Sequence, residues 1–96
     1  MSSFSEQTRA VSAILFEHWD PIGVRAIGGP ESEYINYVPQ LIGLAQRGAS
    51  ALELAGFLAE AESGAMGLSI SSLAKRLAVA SRIKHEIQRL GAASDG

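Results

Sequence analysis

The run "LAKRLAVASRIKHEIQRL", from Leu73 to Leu90, constrains the chain more than any other stretch. Leu73, Leu77, Ala80, Ile83, Ile87 and Leu90 follow one another at spacings of four and three. That is the period of a helical bundle seam; a half-buried strand would alternate every second residue. A helix with one apolar stripe gains most of its stability by laying that stripe against other elements. Lys75, Arg82 and Arg89 lie seven apart and form a basic stripe opposite the seam. Arg82 and Glu86 are spaced i,i+4, which predicts a pair. Arg76 falls among the apolar positions, so it has to snorkel or meet an acid.

Three more helices are legible. The expected architecture is all-α: a small antiparallel bundle of four helices, over about 5–18, 31–47, 51–66 and 70–90, with a frayed tail at 91–96. In the first helix Val11, Ile14, Leu15 and His18 share a face, Phe4 and Trp19 sit near the ends, and Ser3 or Ser5 can cap. Phe16 points away from that stripe. Pro21 stops the helix, because the residue before a proline is pushed out of the α region. Gly23, Gly28, Gly29 and Pro30 keep the following stretch irregular. In the second helix Glu31 and Glu33 stand in the first turn, where the helix dipole favours negative charge. Pro39 lies inside this helix and predicts a kink or a tight first turn.

The clearest boundary is "SALE", Ser50 to Glu53, a capping box in which hydroxyl and carboxylate each bond the other's backbone N–H. The third helix has two apolar sides: Leu52, Ala55, Leu58, Ala59 and Glu62 on one, Leu54, Phe57 and Ala61 on the other. Gly56 beside Ala55 and Ala59 suggests a close helix–helix crossing. Gly67 is placed to end the helix. Ser69 to Ser72 offer caps for the fourth.

A chain of 96 residues suits one domain, residues 1–96. The absence of Cys excludes disulfides, thiol catalysis and Cys-ligated zinc. No signal peptide and no membrane-length apolar run are legible, so a cytoplasmic protein is expected. The net charge of −2 is unevenly spread. Met1 to Leu68 carries three bases against eight acids, and Ser69 onward carries five bases against two acids. Three stripe bases without interleaved aromatics do not make a nucleic-acid surface, and a seam without Trp or Phe does not suit a membrane surface.

Chemistry-bearing residues concentrate in "EHWDPIGVRAIGGPESEY", Glu17 to Tyr34. A metal or acid/base enzyme would draw on His18, Glu17, Asp20 and Glu33. Adjacent Glu17 and His18 point about 100° apart on a helix, and no HExxH spacing exists, so neither metal nor cofactor is expected. Aromatics beside carboxylates instead suit a surface for a basic protein partner, with Asp20, Glu31, Glu33, Tyr34 and Tyr37 as its contacts. The expectation is a non-enzymatic binding module. The alternatives are the small enzyme just described and a homo-oligomerising structural protein, a homodimer through the third or fourth helix.

"WDPIGV" (Trp19 to Val24), "EYINYVPQLIGLAQRGAS" (Glu33 to Ser50) and "ELAGFLAEAESGAMGL" (Glu53 to Leu68) resemble a family of small bacterial all-helical proteins of unknown function with a Trp-Asp-Pro-Ile-Gly turn. The resemblance spans roughly Ile14 to Leu68. It implies a helical fold and no activity or catalytic residue. Ser32 stands where that family often has an acid before Glu-Tyr. By analogy with compact helical immunity proteins, which use acidic and aromatic surfaces, it leads to the expectation of an immunity or toxin-neutralising role.

Overall fold

The computed structural model describes residues 4–93, and among them every regular element is helical. α1 spans Phe4–Ile14 and continues as a π-helical turn, Leu15–Trp19. A connector over residues 20–30 leads to a 3₁₀ segment, Glu31–Tyr37, which feeds α2, Val38–Gln46. α3 spans Ala51–Glu60 and also ends in a π turn, Ala61–Ala65. α4 spans Leu73–Ala93. It reaches past the expected end, taking in residues 91–93; residues 94–96 and Ser3 lie outside the described part.

The four helices pack around one core, with α4 touching α1, α2 and α3. Hydrogen bonds fix the pairing directions. Between α4 and the α3 region, Lys84 reaches the Ala49 carbonyl, Arg76 the Ala55 carbonyl and Ser71 the Glu62 carboxylate. Numbers rise on one side as they fall on the other, so α3 and α4 are antiparallel. Gln46 to Gln7 at one end of α1 and α2, and Tyr37 against Trp19 at the other, give the same result for that pair.

The seam of α4 is deeper at its C-terminal half than its spacing suggests. Val79, Ala80, Ile83, Ile87 and Leu90 are buried, but Leu73 is 47% exposed. Ser72 is the residue that caps, accepting from the Lys75 N–H at 3.2 Å. Glu86 pairs with Arg89, three residues on, rather than with Arg82.

The second helix is not continuous. The chain runs as 3₁₀ until Tyr37 and becomes α only at Val38, so Pro39 falls in the first α turn, where its missing N–H costs nothing. The capping box at Ser50 and Glu53 is formed in full. On α3 the buried positions are Leu54, Ala55, Leu58, Ala61 and Glu62, a single stripe spaced i, i+1, i+4, i+7, i+8. Leu52 is therefore 61% exposed, and Phe57 is half-buried.

Gly56 does not mark a close crossing: a Cβ there would meet nothing within 4 Å. Gly56→Ala is thus expected to stabilise the protein, by up to about 1 kcal/mol, since it removes only the entropic penalty of an exposed mid-helix glycine. A rise in the urea midpoint at unchanged slope checks this.

The π turn after α1 explains where Trp19 and His18 go. The Asp20 N–H bonds the Leu15 carbonyl at 2.8 Å, an i→i+5 bond that adds a residue to the last turn. The wider turn rotates later side chains backward around the axis. Trp19 comes over the core face beneath Val11 and Leu15 and is fully buried, and His18 swings off the apolar face to the surface. Phe16 is half-buried against the core.

Candidate functional site

The Trp19 indole N–H donates to Glu62 Oε2 at 2.6 Å. Glu62 is fully buried, and its other bonds come from Ser71: the backbone N–H to Oε1 at 2.6 Å and the hydroxyl to Oε2 at 2.8 Å. Both partners of the indole bond stand on π turns, one ending each long helical segment. Arg76 lies nearby, donating to the carbonyls of Ser71 and Ala55. Burial pushes the Glu62 carboxyl up, but the Ser71 N–H, the Trp19 indole, the Ser71 hydroxyl and the Arg76 charge together outweigh it and hold the group below its ordinary 4.5. The carboxylate is ionised, has three donors, and is sealed from solvent. It is a structural clasp between α1, α3 and α4.

A second carboxylate organises the connector. Asp20 adopts a left-handed conformation, φ 34°, ψ 57°, which Asp tolerates better than most residues. Its Oδ1 accepts from the Val24 N–H at 2.9 Å and the Tyr34 hydroxyl at 2.6 Å, and its Oδ2 from the Arg25 N–H at 3.1 Å. Desolvation raises the Asp20 pKa, but the Tyr34 hydroxyl, the two backbone donors and the Arg25 charge bring it below 3.8. Tyr34 is raised well above its ordinary value, by burial first and by its bond to Asp20 second. The same hydroxyl accepts from the Ile22 N–H at 3.2 Å.

The rest of the connector is bonded to itself. Gly23 N–H reaches the Asp20 carbonyl, Ile27 and Gly29 both reach that of Val24, and Gly28 reaches that of Arg25. Val24 is buried and closes over Gly29, where a Cβ would lie 2.1 Å from Val24 Cγ1, so no larger residue fits. Arg25 Nη1 donates to the Glu17 carbonyl at 2.8 Å, capping the end of the first helix with a cation. Trp19 packs under this assembly, its ring centroid 5.3 Å from Tyr34 and 5.9 Å, edge-on, from Tyr37.

The expected contact residues thus separate into two groups. Tyr34 is fully buried and belongs to the core, so its expected place in a contact surface is corrected: its ring packs on Trp19 and its hydroxyl is held by Asp20. Asp20 spends both oxygens inside the connector. Glu33 is exposed and Tyr37 half-buried; the side chain of Glu31 lies outside the described residues. His18 meets only Glu17, at 4.0 Å on the surface, and among the described residues no three of His, Cys, Asp and Glu are grouped to hold a metal. Also among the described residues, no helix is long and apolar enough to cross a membrane.

The same loop holds two exposed side chains that the residue types did not single out. Ile27 is 81% and Ile22 50% exposed. No family model, curated protein or solved structure matches the chain.

Proposed function

We propose that the chain is a non-enzymatic protein-binding module whose contact surface is the connector and the 3₁₀ segment beside it. One observation carries the reading: Ile22 and Ile27 are held out to solvent on a loop in which every backbone N–H from Ile22 to Gly29 except that of Ala26 is hydrogen-bonded within the protein. Exposed isoleucines on a disordered loop would lose ordering entropy on binding. Here that ordering is already present, so apolar contact converts to affinity with less loss. Exposed Glu17 and Glu33 stand beside them in the chain, and half-buried Tyr37 offers an aromatic edge. Apolar side chains among carboxylates suit a basic partner with an apolar centre, and the charges favour fast encounter with it.

On this reading Asp20 and Tyr34 are the scaffold, and Ile22, Ile27, Glu33 and Tyr37 are the contacts. Neutralising a basic toxin is one biological use of such a surface. A toxin gene adjacent to this one would support it.

The test is affinity capture with wild type and with an Ile27→Ser/Glu33→Lys double variant. Both changes are at exposed positions, so the variant keeps the fold, which its melting curve verifies. A partner recovered by wild type is expected to be lost, with affinity down about tenfold to a hundredfold if Ile27 is an anchor. Equal recovery by both proteins contradicts the assignment.

A further inference from the structure

A second surface, separate from the connector, has a different chemistry. An open groove of about 530 Å³ runs between α2 and α3, lined by Pro39, Gln40, Gly43, Leu44, Arg47 and Phe57. Leu44 and Phe57 form its apolar floor; each packs against the core with its inner side and remains half-exposed on its outer side. Gln40, Gly43, Leu44 and Arg47 are spaced i, i+3, i+4, i+7, one face of α2 over two turns. Arg47 folds back along that face, since a Cβ on Gly43 would lie 3.4 Å from its Nη1. Its guanidinium thus lies at the solvent-exposed rim of the groove, beside Gly43.

Among the described residues no side chain or carbonyl answers that charge, as is also the case for the surface bases Arg9, Lys75 and Arg82, which do not line a groove. Arg25, Arg76, Lys84 and Arg89 each donate to a carbonyl or a carboxylate, whereas the Arg47 guanidinium makes no hydrogen bond or ion pair among the described residues. The Gln40 amide at the other end is equally unengaged among them. The groove thus has an apolar floor, a neutral hydrogen-bonding group at one end and a lone cation at the other. Because it is open, it does not enclose a small molecule as a ligand pocket does. It has the form that receives one face of a helical peptide.

We propose that this groove docks an amphipathic segment of a partner protein that presents apolar side chains one turn apart followed by a carboxylate, the carboxylate pairing with Arg47. Its charge preference is the reverse of the connector's, so the two surfaces test independently. A partner carrying both kinds of segment would engage the module twice.

The test is a display selection of random peptides of roughly 12 residues, about 18 Å of helix, on the full chain, followed by amide shift mapping of the enriched peptides. Enriched sequences are expected to combine apolar residues with an acid and to shift the Gly43 and Leu44 amides. Arg47→Glu is expected to weaken them about tenfold or more. Arg82→Glu, which reverses an exposed base on α4, is expected to leave them unchanged. Enriched peptides that leave the groove amides unmoved, no enrichment at all, or equal weakening by both variants overturns the proposal. So does a concentration-dependent shift of the same amides without peptide, which would make the occupant a second copy of the chain.

Discussion

Glu62→Ala is expected to lower stability by about 3–5 kcal/mol, a large share of the roughly 5–15 kcal/mol that holds a small domain together. The cost has little to do with lost apolar area. Removing the carboxylate leaves three donors without their acceptor: the buried Trp19 indole N–H and, at a partly buried position, the Ser71 N–H and hydroxyl. It also removes a negative charge that lies near Arg76. An unsatisfied buried donor costs about 1–3 kcal/mol, so even with rearrangement the sum is large. Glu62→Gln is expected to recover only part of the loss. Its one oxygen serves the indole or Ser71, but its amide must turn a donor toward another donor.

Urea unfolding at neutral pH measures both variants. The pH dependence supplies a second signature. The folded-state pKa of Glu62 lies below its ordinary 4.5, so its contribution is complete above that value and is lost as pH falls through the lowered folded value. Asp20, held below 3.8, adds to the same acid limb with the same sign. Wild type is expected to lose stability below about pH 4.5, and Glu62→Gln to lose less over that interval. An alanine variant with wild-type stability would show that Glu62 is not the clasp.

The second large effect is expected at the connector. Asp20→Ala is expected to cost about 2–4 kcal/mol, from partly buried donors left without an acceptor and from an alanine forced to positive φ. Tyr34→Phe removes the other half of the arrangement and is expected to cost about 1–2 kcal/mol, because Ile22 N–H loses its acceptor and Asp20 one of its donors. The two losses should not add. Once Asp20 is gone, the Tyr34 hydroxyl has already lost its acceptor, so the double variant is expected to be more stable than the sum by about 0.5–1 kcal/mol. Simple additivity in urea titrations of the four proteins would mean that the 2.6 Å bond between these side chains contributes nothing.

Much of the helical order was legible because it rests on local chemistry. The capping box at Ser50 and Glu53, the stop at Pro21 and the seam from Ala80 to Leu90 each follow from near neighbours in the chain. The tertiary polar pairing was not legible. Glu62 lies on the apolar side of α3, Arg76 on the apolar side of α4, and Trp19 brings an N–H that requires an acceptor when buried. Each is a polar group on a greasy face. Three such groups of complementary kind are the signal that they converge, but sequence spacing cannot give the convergence itself.

The π turns were invisible for a different reason. One extra residue in a turn leaves no composition mark, yet it decided that Trp19 faces inward and His18 outward. The bond between Asp20 and Tyr34 was not legible either. Their residue types fit an interface as well as they fit a buried bond, and only the fold distinguishes the two. The exposure of Ile27 was hidden by the same ambiguity, since an isoleucine in a loop is ordinarily expected to turn inward.

Trp19 and the buried Glu62 anchor the connector from beneath and make it a fixed surface. Hydrogen exchange of the Trp19 indole N–H tests it most directly, because the chain has one Trp and so one indole resonance. The bond to Glu62 predicts exchange slowed at least about a thousandfold relative to a free indole, limited by opening close to global unfolding. Exchange at the rate of a free indole would contradict it.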